Sequence, residues 1–252
     1  MVATRNPPLK AWRGMRVWIV GASSGIGSAL AEALREQGAL VAVSARGADT
    51  LRGDLVLPLD VRDGAALKDA AQQVAAGFGG LDLLVYCAGT YRPQRATAFD
   101  LEQALNHDEI NYRGALRTLD AALPLLLRQR SGHVVLVSSV AGWRGLPQAL
   151  AYGPTKAALI SLAETLYVDL RPVGIGVSVV NPGFVQTPLT AQNRFRMPAL
   201  MQPAQAAQCI LRGLRRRDFD IHFPRRFTLW LRLLRVLPYR LYFAVVGRIP
   251  EA

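Results

Sequence analysis

Tyr152 and Lys156 are the residues whose types and spacing best suit chemistry in this chain. They stand four positions apart, ahead of a run of helix formers: Ala157, Ala158, Leu159, Leu162, Ala163 and Glu164. On a helix, residues i and i+4 face the same way, so a phenol and an ammonium share one side. A free tyrosine titrates near pH ~10. A cation held beside it favours the phenolate and lowers that value by roughly 1–3 units. The pair is therefore a candidate proton donor and acceptor. Read alone, Tyr-x-x-x-Lys describes an ordinary exposed helical pair equally well, so the decision falls to the rest of the chain.

The elements that must position this pair begin with an apolar run, Arg16-Val17-Trp18-Ile19-Val20. It leads straight into Gly21-Ala22-Ser23-Ser24-Gly25-Ile26-Gly27, and residues 28–37 then read as a helix stopped by Gly38. Glycine permits a tight turn and close backbone approach, and a helix N-terminus offers unpaired N–H groups to a pyrophosphate. The stretch is read as a dinucleotide site, spaced G-x-x-x-G-x-G rather than G-x-G-x-x-G. A second strand, 40–44, ends in Ala45-Arg46. An acidic residue there would hold the ribose 2′-OH of NAD. Ala45 and Arg46 instead leave room and charge for a 2′-phosphate, so NADP is the expected cofactor, with NAD the alternative and a solvated surface arginine the plain reading.

Further strands are predicted at 54–61, 81–86, 133–137, 176–180 and 218–223, with helices at 64–76, 100–130, after Tyr152 and at 202–217. This alternation indicates a three-layer α/β fold with a doubly wound parallel sheet of Rossmann type. Ligands of such sheets bind beyond the strands' carboxyl ends. Gly21, Arg46, Asp60, Gly89, Ser139 and Pro182 all fall there and are expected to meet in one crevice.

Taken together, these motifs resemble the short-chain dehydrogenase/reductase family over residues 14 to about 223. Six match in order: Gly21-x-x-x-Gly25-x-Gly27, Asp60-Val61, Ala88-Gly89, Asn111, Ser139 with Tyr152-x-x-x-Lys156, and Pro182-Gly183 with Thr187. The resemblance implies Tyr152 as general acid or base, Lys156 lowering its pKa and bonding the nicotinamide ribose, and Ser139 polarising the substrate oxygen. It implies Asn111 anchoring a water that passes protons to Lys156. Gly21, Ser23, Ser24, Gly25, Ile26 and Gly27 would bind the cofactor, as would Ala88, Gly89, Pro182 and Gly183. Asp60 and Val61 would read the adenine, and Val185 and Thr187 the carboxamide. Two positions depart from the family pattern: Val20 where Thr is usual and Cys87 where Asn is usual. Packing is expected to replace that polar brace. Cys87, with no cationic neighbour evident in sequence, is not expected to be a nucleophile.

Length and composition set the outer bounds. The 252 residues, 51% hydrophobic, suit one large domain and argue against disorder. The organisation read from them is a leader at 1–13, a catalytic domain at 14–223 and a basic, apolar helical extension at 224–252. Two cysteines form no disulfide framework, residues 1–10 carry no apolar signal segment, and no 18-residue apolar run occurs, so a cytoplasmic protein is expected. No metal-ligand spacing is present. Phe184, Phe195, Met197, Pro198, Leu200 and Met201, with Trp143 and Leu146, point to a small hydrophobic carbonyl or alcohol as substrate, while Arg194 and Arg196 read equally as steering an anionic group or as a solvated loop surface. Of the net charge of +12, residues 212–248 hold ten Arg against two Asp, a net of +8. Over residues 225–247, arginines share one sector of a helical wheel and Trp230, Leu231, Leu234, Leu241 and Val245 lie opposite, with Pro238 splitting the helix. Two readings stand: the extension lies on the inner face of an anionic membrane, or it covers the core, the substrate pocket or a partner subunit. A homo-oligomer is expected. Nucleic-acid binding is not, because the arginines are interleaved with leucines and carry no recognition motif.

Overall fold

The computed structural model describes residues 5–193 and 197–248. Seven strands form one all-parallel sheet: β1 (Arg16–Val20), β2 (Leu40–Ser44), β3 (Leu55–Val56), β4 (Leu83–Tyr86), β5 (Gly132–Val137), β6 (Ile175–Pro182) and β7 (Asp220–Phe223). Their order, β3-β2-β1-β4-β5-β6-β7, reverses between β1 and β4. That reversal opens a crevice at the strands' carboxyl ends.

The sheet is buried on both faces, which is why its strands read as continuous apolar runs. Val17 and Ile19 pack beneath α1 (Gly25–Glu36) and α6 (Pro203–Arg215), in a core with Leu30, Leu34 and Ile210. Trp18 and Val20 point the other way, toward α2 (Gly64–Phe78), α4 (Gly114–Gln129) and α5 (Tyr152–Leu170). Three layers result, in the expected fold class.

Several boundaries differ from the sequence reading. The strand expected over 54–61 shrinks to Leu55–Val56. Leu57 and Leu59 still donate to Val43 and Ala45, but Pro58 between them has no N–H to give. The helix expected over 100–130 is broken into α3 (Leu101–His107), a π-helical turn at Asp108–Arg113, and α4. The supposed leader is part of the domain by Asn6. That side chain is fully buried, donating to the Val177 carbonyl at 2.8 Å and accepting from the Val177 amide at 2.8 Å.

The C-terminal extension is split at Pro238, as expected, into α7 (Arg225–Val236) and α8 (Tyr239–Val246). The wheel reading of its faces does not hold. Arg232 turns toward the domain and pairs with Asp220, while Trp230 is 72% exposed. Phe227 and Leu231 pack inward, and Phe227 lies against Gly183 and Phe184.

Candidate active site

The glycine turn is shaped by contacts that exclude side chains. Gly21 and Gly25 have φ of +96° and +59°, which L-residues rarely adopt. A Cβ on Gly21 would sit 2.3 Å from the Ala88 nitrogen, and one on Gly27 would sit 2.1 Å from the Gly21 carbonyl oxygen. The turn therefore rests directly on backbone after β4. Cys87 completes the brace: its amide donates to the Val20 carbonyl at 2.8 Å, and its sulfur accepts the Gly27 N–H. Packing is thus joined by one polar contact, a refinement of the expectation for this position. Cys87 also has a cationic neighbour after all, Lys156, but burial outweighs it and pushes the thiol up to about 11. It stays protonated and unreactive.

Above the turn lies a cavity of about 520 Å³. Of the residues singled out from sequence, Gly21, Ser23, Ser24, Gly25, Ile26, Arg46, Asp60, Val61, Ala88, Gly89, Ser139, Tyr152, Lys156, Pro182, Gly183, Val185 and Thr187 all line it. Gly27 and Asn111 do not. Gly27 is occupied in closing α1 onto Gly21. The Asn111 side chain is fully buried: its oxygen accepts from the Thr90 amide at 2.7 Å, and its nitrogen donates to the Thr90 carbonyl at 3.1 Å and to Thr155 Oγ1 at 3.0 Å. It fastens the segment after β4 to α5, and no side-chain N–H remains to hold a water.

α5 starts at Tyr152, with Pro154 in its first turn, where a missing N–H costs nothing. Tyr152 and Lys156 share a face, with the Lys156 nitrogen 5.6 Å from the phenol ring centroid. Burial raises the Tyr152 phenol to about 12, against the pull of its hydrogen bond with Ser139. The lowered pKa expected for this tyrosine is thus not found. Its neighbouring ammonium, itself pushed down to about 8 by burial, donates instead to the Val137 carbonyl at 3.0 Å. Ser139 Oγ accepts from the Ala141 amide at 3.1 Å, leaving its own hydrogen to donate. Tyr91 packs edge-on against Tyr152, with centroids 4.9 Å apart.

Other residues line the cavity that sequence reasoning did not single out: Arg62, Thr90, Asn106, Ile110, Ser138 and Thr190 among them. Arg62 directly follows the Asp60-Val61 motif. Its guanidinium grips the Asp60 carboxylate at 2.6 Å, and those bonds hold Asp60 below the usual carboxylate range. Thr190 Oγ1 donates to the Val185 carbonyl at 2.6 Å and accepts from Thr187 N–H at 3.0 Å, shaping the loop that faces Gly25. None of Trp143, Leu146, Phe184, Met197, Pro198, Leu200 and Met201, expected at the substrate, lines this cavity. Trp143 is buried, with His222 edge-on at 5.9 Å and Arg232 over its ring at 5.5 Å. Arg194, Phe195 and Arg196 lie outside the described residues.

A nicotinamide dinucleotide fits these residues. Ser24 at the start of α1 makes no side-chain cap, and Gly25 and Ile26 of its first turn line the cavity, so a phosphate there would have no capping side chain to displace. The short chain dehydrogenase family profile matches residues 15–197. The chain belongs to the short-chain dehydrogenase family. As a member, it is an NAD(P)-dependent oxidoreductase. An uncharacterized oxidoreductase of Myxococcus xanthus is 37% identical over 242 residues, covering 92% of this chain and 96% of its own. One from Staphylococcus aureus is 30% identical over 205 residues, covering 78% and 89%. Among solved structures, a short chain dehydrogenase from Burkholderia cenocepacia in complex with NADP superimposes with a TM-score of 0.84. It is 25% identical and covers 96% of this chain and all of its own.

Proposed function

We propose that this short-chain dehydrogenase is an NADP(H)-preferring enzyme that moves a hydride between nicotinamide and a hydrophobic carbonyl or secondary alcohol. The observation that carries the reading is that Ser139, Tyr152 and Lys156 line one cavity with the glycine turn. Cofactor preference is argued from Arg46, beyond β2 where an acidic residue would select NAD. The NADP held by the Burkholderia cenocepacia relative agrees with it.

When bound, the cofactor supplies or takes the hydride. The chain supplies placement and a proton. In reduction, negative charge grows on the substrate oxygen, and donors aimed there are worth most where that charge develops. Tyr152, a phenol that burial keeps protonated, gives its proton to that oxygen. Ser139, its own oxygen fixed by the Ala141 amide, donates a hydrogen bond to the same atom. Lys156 stabilises the phenolate left behind, and in the oxidative direction Tyr152 takes the proton back. Asn111 is a positioning residue for the proton path, holding Thr90 and the first turn of α5 in register. The enzyme is proposed to work in the cytoplasm as a homo-oligomer.

Tyr152→Phe tests the assignment. NADPH oxidation against a carbonyl panel should fall by roughly 10²–10⁴-fold while NADPH still binds. Undiminished turnover in that variant would remove Tyr152 from the chemistry. Wild-type inactivity across the panel would favour a nucleotide sensor that kept the fold.

A further inference from the structure

The exposed face of α7 and α8 is apolar, and its margins are basic. Leu229, Trp230, Leu233 and Val236 recur at helical spacing along the outer side of α7, each more than half exposed. Past Pro238, Tyr239 and Phe243 stack with centroids 5.7 Å apart and are 70% and 62% exposed. An apolar surface of this extent on a folded chain marks an interaction site. It is also firmly mounted. Arg144 donates to the carbonyls of Leu234, Arg235 and Leu237, and its guanidinium lies over the rings of Tyr239 and Tyr242 at 4.8 and 3.9 Å. The Tyr242 hydroxyl donates to the Gly145 carbonyl.

Charge identifies what covers this face. No Asp or Glu occurs between residues 221 and 250. Arg225, Arg226, Arg235, Arg240 and Arg248 are exposed and carry no carboxylate partner among the described residues. A second copy of the chain would bring two such arginine-rich regions together, and like charges repel. An anionic bilayer surface matches both properties. Leucine and aromatic side chains enter the headgroup boundary, where tryptophan and tyrosine are favoured, and arginines at the rim reach the lipid phosphates. No helix among the described residues is long and apolar enough to cross a membrane, so the contact is peripheral.

We infer that α7 and α8 form a docking surface for the anionic face of a lipid bilayer, seated by Leu229, Trp230, Leu233, Val236, Tyr239 and Phe243 and held by the flanking arginines. This does not rest on the oxidoreductase reading, and its test needs no turnover.

The test is sedimentation of the full chain with vesicles of phosphatidylcholine alone and of equal phosphatidylcholine and phosphatidylglycerol. Binding is expected to the anionic vesicles only, and to weaken at high salt. Trp12, Trp18 and Trp143 are buried, so a blue shift of tryptophan emission on binding reports Trp230. Trp230→Ser with Val236→Ser should lower partition by about tenfold or more at an unchanged melting temperature, since both side chains face outward. Arg226→Ala and Arg240→Ala should each cost about fivefold. The inference is overturned if wild type ignores anionic vesicles or if the serine double variant binds them as well as wild type. It is equally overturned if that variant instead lowers the mass found by light scattering, which makes the face an interface between copies.

Discussion

The Lys156 ammonium donates to the Val137 carbonyl at 3.0 Å while lying 5.6 Å from the centroid of the Tyr152 ring. Burial sets the character of both groups, pushing the ammonium down to about 8 and the phenol up to about 12. Lys156 is therefore the member of the pair that changes charge in the working pH range. It is positive below about pH 8 and neutral above it. If Lys156 bonds the nicotinamide ribose, NADPH affinity should fall through an apparent pKa of about 8. Kd measured by NADPH fluorescence from pH 6 to ~10 would show it. The same inflection should persist in Tyr152→Phe. Its disappearance in that variant would assign the titration to the phenol.

Arg46 leads to the second prediction. A charged hydrogen bond contributes about 1.5–3 kcal/mol, so Arg46→Ala should lower kcat/KM for NADPH by roughly 10–100-fold and leave NADH nearly unchanged. Arg62 does not substitute for it, because its guanidinium is held by Asp60. Steady-state kinetics with both cofactors decide the matter. Equal wild-type values, or a preference that survives the substitution, would contradict the 2′-phosphate assignment.

The brace beneath the glycine turn leads to the third. A Cβ on Gly27 would meet the Gly21 carbonyl oxygen at 2.1 Å, and that oxygen belongs to backbone that cannot step aside. Gly27→Ala should cost about 1–3 kcal/mol, read as a loss in melting temperature of several degrees, and weaken NADPH binding. Cys87→Asn forces a larger polar group against the same turn and should also destabilise by about 1–3 kcal/mol. Calorimetry and an NADPH titration check both. Much tighter NADPH binding in Cys87→Asn would mean that the missing asparagine was a functional loss.

Most of the crevice was legible in sequence because its parts are backbone devices. Glycines that must accept positive φ or close approach, and strand ends that must converge, leave fixed residue types at fixed spacings. What was not legible depends on three-dimensional enclosure. The pKa of Tyr152 follows from burial, which the four-residue spacing to Lys156 does not report. The π-helical turn that seats Asn111 carries no proline to mark it in the sequence. The outer side of α7 was misread for a related reason. A wheel sorts residues by angle, but Asp220, on the strand β7 that leads into α7, decided that Arg232 would face the domain. Trp143 likewise lay four positions from Ser139 in sequence yet turned to meet His222.

The last prediction concerns stability away from the site. Asp82 immediately precedes β4 and accepts from Lys10 at 2.8 Å, from Arg16 Nε and Nη2 at 2.8 and 2.7 Å, and from the Arg16 amide at 3.0 Å. Burial pushes its carboxyl up, but the Arg16 and Lys10 bonds together win and hold it at about 2. A depressed carboxyl contributes stability that is fully present above its unfolded value of about 4 and is lost as pH falls through its folded value. The side chain is only 6% exposed, so screening by water takes little from this term. The contribution is roughly 2 kcal/mol at pH 7, and Asp82→Asn should lower the melting temperature by about 4–8 °C there. As pH drops from about 4 toward 2, the gap between variant and wild type should close. Calorimetry at neutral and acid pH distinguishes this from a packing defect, which would keep the gap constant.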